Sequence, residues 1–298
     1  MTTETAALPR SPARPPRRRA RTAWQRTRSI AKHALLAAAC AVMVYPLLWL
    51  VVSSFKPNAD IFRDLSIFTT DLTAENYANG WNDLQYPFGV FLFNSSVIAL
   101  GAIVGNLVSC SLAAYAFARL RFRGRNLLFA VMLGSIMLPF QVLMVPQFII
   151  FKELNWLNSF LPLIVPKFLA TEAFFVFLMV QFIRSLPKEL FEAARIDGAG
   201  HFLSYTRITL PLITPALATT AIFTFIWTWS DFFGPLVYLR VPESWPVSVA
   251  LKGYLDAQSS SDYGSMFAMS VVSLLPMFLV FVFGQRFLIK GMATTGIK

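Results

Sequence analysis

Glu192-Ala193-Ala194-Arg195-Ile196-Asp197-Gly198-Ala199, followed by Ile208-Thr209-Leu210-Pro211, is set between two long apolar runs of this 298-residue chain. A protein that only rests in lipid has no use for a compact, acidic, Ala- and Gly-rich loop at that place. A protein that must be pushed by a separate partner does. Leu190, Ala193, Ala194 and Asp197 share one face at helical spacing. Pro187 suits the first turn of that helix and Glu189 its positive N-terminal end. Ala193, Ala194, Gly198, Ala199 and Gly200 leave little side-chain bulk, so another protein can approach the backbone, and Glu192 offers it a carboxylate. Gly198 is expected to end the helix, 200–207 to form a second short one, and Pro211 to start the next apolar run. The competing reading is an amphipathic helix lying on a membrane surface.

Outward from this loop the chain is 56% hydrophobic and 14% charged, where soluble domains carry about a quarter charged residues. Apolar runs near 34–54, 90–118, 127–151, 160–183, 212–230 and 265–287 each approach the ~20 residues a helix needs to cross a bilayer. The expected fold class is therefore all-α, an integral membrane protein with six transmembrane helices. Of the 26 Lys and Arg residues, 20 fall before the first run, in 119–126, in 184–211 or at the C-terminal end. Basic loops stay on the cytoplasmic side, so both the N and C termini are expected there. The organisation reads as a disordered basic tail (1–33), a first span (34–54), an extracellular loop (55–89), a five-helix core (90–287) carrying the 184–211 loop, and a C-terminal tail (288–298).

The net charge of +11 gathers in the Pro/Arg-rich tail, at Arg10, Arg14, Arg17, Arg18, Arg19, Arg21, Arg26, Arg28 and Lys32. That placement suits a topology determinant touching anionic membrane lipid better than a nucleic-acid surface. Leu35 to Cys40 faintly resembles a lipoprotein cleavage site, but the apolar run continues through Val52, as a spanning helix does. Cys40 and Cys110 lie in apolar runs with no ligand partners, and neither His33 nor His201 has a Cys, His or carboxylate cluster around it. No G-x-x-x-x-G-K-[ST] phosphate loop and no nucleophile–base pair is present, so no catalytic residue, metal or cofactor is expected, and the chain is not read as an enzyme. Pro46, Pro139, Pro146, Pro166 and Pro276 fall at membrane depth, where each kinks a helix and frees a carbonyl. The acidic outer loops are long enough either to carry function or to serve as solvated connectors.

The spacing E-A-A-x(3)-G-x(9)-I-x-L-P resembles the loop by which permease subunits of type I ATP-binding-cassette importers dock onto their ATPase, with flanking text closest to the carbohydrate (maltose-type) branch. Phe93-Asn94-Ser95, Ala113 to Arg119, Leu154-Asn155-Trp156-Leu157-Asn158, Trp229-Ser230-Asp231-Phe232 and Lys290 to Lys298 are similar to that family too, which commonly has Asn where this chain has Ser230. The resemblance implies a sugar or polyol importer of a bacterial cytoplasmic membrane. Its partners would be a second permease subunit in a heterodimer, cytoplasmic ATP-binding subunits and an extracellular solute-binding protein. On that reading Glu192, Ala193, Ala194, Asp197, Gly198, Ile208, Leu210 and Pro211 dock the ATPase. Glu172, Trp229, Ser230 and Asp231 are candidates for the solute path. A charge within a span costs about 2.5–3.5 kcal/mol and marks a pathway or a partner. Lys167 and Glu172, five residues apart, would not face each other on a continuous helix; Lys167 would snorkel outward, and Glu172 would face a second subunit or the solute path. The alternatives are the same architecture importing amino acids, peptides or phosphate, or an ion-gradient-driven secondary transporter. The latter would want carboxylates in several spans.

Overall fold

A computed structural model describes residues 23–69, 71–255 and 262–293. Most of the basic tail, Asp256 and the final residues 294–298 lie outside that set. The described residues form helices and no strand. Among the described residues four helices are long and apolar enough to cross a membrane, and two bent helix pairs bring the number to six if each pair is one span. The chain divides into two units at Leu48/Trp49, inside α1 (Ala23–Ser53). In the first unit α1 starts well before the apolar run and exposes Leu36, Val42 and Met43, the all-round apolar surface of a membrane helix.

In the second unit α3 (Phe88–Arg119) packs mainly against α7 (Ala173–Ser185) and α11 (Thr214–Ser230), and α14 (Tyr263–Ala293) packs against α11 and α2 (Glu75–Asn82). One core joins Cys110, Ala114 and Tyr115 of α3 to Phe175, Met179 and Ile183 of α7 and to Tyr205 and Ile213. A second, at the other end of α3, joins Phe88 and Phe91 to Val247, Tyr254 and Met269. Helices in lipid gain nothing from hiding apolar surface from one another, so they depend on close packing and buried hydrogen bonds. Here that packing runs along Gly101 and Gly105, four residues apart on α3. A Cβ on Gly105 would lie 3.0 Å from the backbone carbon of Lys167.

Three expected spans are interrupted. The 127–151 run is α4 (Arg125–Ser135) and α5 (Phe140–Glu153), bent by 102°. Pro139 lacks an N–H and disfavours helical geometry in the residue before it, so it breaks the helix rather than kinking it. The 160–183 run is α6 (Leu161–Ile164), a 3₁₀ turn (Val165–Leu169), Ala170 in the left-handed region at φ 53°, and then α7. The fifth span begins at Thr214 with Pro215 in its first turn, not at Pro211. Before it α9 (His201–Ser204), a π-helical stretch (Tyr205–Thr209) and α10 (Leu210–Leu212) run on as one rod, bent by 74° from α11.

The long loops are built, not mere connectors. Lys56 is 1% exposed and donates to the carbonyls of Asp64 (2.6 Å) and Ser66 (2.7 Å). The Ser66 backbone N–H beside the Asp64 carboxylate holds that carboxyl below its ordinary range. Asn76 donates to the carbonyls of Ser54 and Lys56. The 231–255 segment contains α12 (Phe233–Tyr238) and α13 (Val247–Gly253) and is pinned to α3. Asn94 donates to Glu243 O (2.8 Å) and Trp245 O (3.0 Å), and Ser95 accepts the Val247 N–H. Asn158, at φ 59°, fixes the same segment by donating to Tyr238 O and accepting the Arg240 N–H.

Candidate functional site

The breaks in the third and fourth spans and the end of α11 converge on a cavity of about 740 Å³. Gly105 admits the 3₁₀ turn against α3, and Ser109 Oγ then holds the turn through the Lys167 carbonyl at 2.6 Å. Ala170 reverses the chain, Thr171 bonds back to Pro166 O, and Glu172 stands immediately before α7. The reversal brings Lys167 Nζ onto Glu172 Oε1 as an ion pair lining the cavity. This corrects the expectation that the two face apart and that Lys167 snorkels, which assumed an unbroken helix. A paired charge is far cheaper at membrane depth than two separate ones.

Ser230 and Asp231 line the same cavity. Ser230 Oγ returns to Ile226 O, while Asp231 accepts the Gly234 N–H at 3.3 Å and has no ion pair among the described residues. Trp229 points elsewhere. It is 5% exposed, stacks on Phe225 and donates to Ser273 O, so it packs α11 onto α14. Its place at the cavity is taken by Trp227, two residues earlier and stacked on Phe175 at 5.1 Å. Asn106, which donates to Thr224 Oγ1, and Gln147, which accepts from the Tyr238 hydroxyl, also line the cavity and were not singled out in the sequence. Polar amides inside apolar runs were the signal that could have found them.

The 184–211 loop forms a second site. Pro187 stands just outside α8 (Glu189–Ile196), whose N-cap is Lys188. The helix ends in a Schellman motif. Gly198 N bonds to Arg195 O, Ala199 N bonds to Ala194 O at 2.8 Å, and Gly198 has φ 81°. Glu192, Ala193, Asp197, Gly198 and Pro211 are exposed, whereas Ala194, Ile208 and Leu210 are half-buried. Leu210 and Phe191 pack against the core. Beside the exposed set stand Ile196 (86% exposed) and Phe202 (75% exposed). Neither is among the residues expected from the sequence to dock a partner, since nothing in an apolar letter within a helix shows that its side chain stays unpacked. Among the described residues no group of three or more His, Cys, Asp or Glu could hold a metal ion.

A polytopic helical bundle with a polar cavity at broken spans and a rigid loop at one end defines a membrane transport protein. The chain belongs to the inner-membrane components of binding-protein-dependent transport systems, whose family profile matches residues 105–294. It is 32% identical to a diacetylchitobiose uptake system permease protein of Streptomyces coelicolor, over 85% of this chain and 84% of that one. It is 33% identical to an arabinooligosaccharides transport system permease protein of Halalkalibacterium halodurans, over 86% and 92%. The fold matches a crystal structure of a bacterial ABC transporter involved in the import of the acidic polysaccharide alginate, with TM-score 0.79 and 24% identity, covering 89% of this chain and 98% of that one. The family is a transport component and not an enzyme.

Proposed function

We propose that this permease subunit forms, with a second permease subunit, the path by which a neutral sugar or related polyol enters across a bacterial cytoplasmic membrane. Solute arrives on an extracellular binding protein, and a pair of ATP-binding subunits acts on the 184–211 loop. The observation that carries this reading is the cavity itself. It combines aromatic faces at Trp227 and Phe174 with hydroxyls, amides and carboxylates at Thr228, Ser230, Asn106, Gln147, Glu172 and Asp231, the mixture that hydroxyl-rich, weakly amphipathic rings require. Relatives that take up diacetylchitobiose and arabinooligosaccharides support the sugar class. With Lys167 neutralised by Glu172, the unpaired Asp231 disfavours an anion such as phosphate. The exposed Glu192, Ala193, Ile196, Asp197 and Gly198 support the docking role.

The test is reconstitution in proteoliposomes with the companion permease, ATP-binding subunits and binding protein. Loaded binding protein should stimulate ATP hydrolysis and uptake of a labelled neutral oligosaccharide, while this chain alone hydrolyses nothing. Uptake that needs no ATP-binding subunit and follows an ion gradient would refute the reading.

A further inference from the structure

Ser111, Tyr115 and Arg119 recur every four residues along the last turns of α3, so they form one stripe on one helix face. Every member of that stripe touches the 184–211 loop or the elbow leading into it. Arg119 Nη2 donates to Ile183 O at 2.7 Å and to Leu186 O at 2.9 Å. These carbonyls belong to the last turn and the C-cap of α7, where unsatisfied carbonyls and the helix dipole concentrate negative potential. The same guanidinium sits over the ring of Phe191 on α8, its Cζ 3.8 Å from the ring centroid. One side chain thus grips α7 and α8 on both sides of the Leu186-Pro187 elbow. Two turns back, the Ser111 and Tyr205 hydroxyls share a hydrogen bond of 2.7 Å. The Tyr115 ring meets that of Tyr205 edge-on at 5.5 Å. Tyr205 opens the π-helical stretch of the α9–α10 rod, and such stretches often sit at functional positions.

Both arms of the loop are therefore fastened to the same face of the same spanning helix, by groups with directional contacts instead of interchangeable apolar ones. We propose that this stripe is the strut that carries movement of the 184–211 loop into the span bundle, with Arg119 and Tyr205 as positioning residues for transport. The proposal rests on the reading of that loop as the ATPase dock. It adds that docking and transmission are separate: the exposed residues hold the partner, and the stripe, buried at Ser111 and Tyr115 and half-buried at Arg119, conveys its motion. α3 also carries Gly105, Asn106 and Ser109, which shape the cavity, so the strut ends at the solute path.

Arg119→Lys keeps the charge but loses the planar guanidinium that reaches two carbonyls through Nη2 while its Cζ sits over a ring. Tyr205→Phe removes one hydroxyl and nothing else. Both are measured in the reconstituted transporter at matched membrane abundance, reading ATPase co-purification, basal hydrolysis and solute imported per ATP hydrolysed. The expected result is unchanged co-purification and basal hydrolysis, with import per ATP lowered about fivefold or more for Arg119→Lys, the low edge of energetic coupling between linked sites, and lowered measurably for Tyr205→Phe. Ser111→Ala added to Tyr205→Phe should cause no further loss, because both remove the same bond. Unchanged import per ATP in both variants overturns the proposal. So does loss of import that merely tracks loss of bound ATPase while Tyr205→Phe behaves as wild type. Failure of the docking reading looks different: the wild-type complex itself would then show no hydrolysis stimulated by binding protein.

Discussion

Lys56 stands three residues beyond the end of α1 with its ammonium group almost wholly withdrawn from solvent. It is held by two loop carbonyls and, at 3.8 Å, by the half-exposed Asp64 carboxylate. In the sequence it is one basic residue among the few on the less basic side, and nothing in its neighbours sets it apart. Its burial follows from the loop folding back over it, so the carbonyls of Asp64 and Ser66 depend on it as a donor. Lys56→Met should keep the stem packing, leave those acceptors unfilled and cost about 1–3 kcal/mol. The expected outcome is a lowered thermal unfolding midpoint of the detergent-solubilised transporter with the helical content of the folded state preserved. An unchanged midpoint would mean that water replaces the ammonium without loss. Lys167 teaches the same lesson at membrane depth: its partner became visible only once the chain between them was seen to reverse at Ala170.

Among the elements, α8 is the one whose C-terminal limit the sequence states most plainly, and Gly198 is the reason. At φ 81°, with no atom within 4 Å of where a Cβ would stand, the position restricts backbone conformation and not volume within this chain. A left-handed non-glycine residue costs about 1–2 kcal/mol, less for Asn. Gly198→Asn should therefore leave transport near wild type, while Gly198→Leu should weaken ATPase co-purification, because its side chain would project into the open space that the proposed docking leaves for the partner. Equal behaviour of the two variants would place the constraint in the turn alone. Elsewhere legibility tracked how local the cause was. Span positions follow from apolar length, and the end of α8 follows from one glycine. The 102° bend after α4, the 3₁₀ turn at Val165–Leu169 and the placement of Trp227 in preference to Trp229 at the cavity arise from contacts between distant segments. Pro139 and Pro166 announced a disturbance at those places but not its angle. The exposed Ile196 and Phe202 were equally legible as letters, yet only the folded loop shows them unpacked.

For the molecule as a whole, the uneven distribution of Lys and Arg predicts a single orientation in the membrane. Cysteines introduced at Arg123 and Ile196, both exposed at the end of the bundle that carries the 184–211 loop, should resist a membrane-impermeant thiol reagent in intact cells, whereas one at Asp71 should react. Reaction at Ile196 from outside would invert the topology and leave the loop unable to meet a cytoplasmic ATPase. The rod His201–Leu212 bears on how such an ATPase could act. Twelve residues at helical rise make an arm about 18 Å long, joined to α11 at the bend before Thr214, continued by Gly200 and Ala199 into the end of α8, and fastened to α3 at Tyr205. By simple leverage, a rotation of about 10° at that bend displaces the tip by about 3 Å. On the docking reading proposed above, a partner closing by a few ångströms would need only a shallow tilt of the arm, with no span having to unwind.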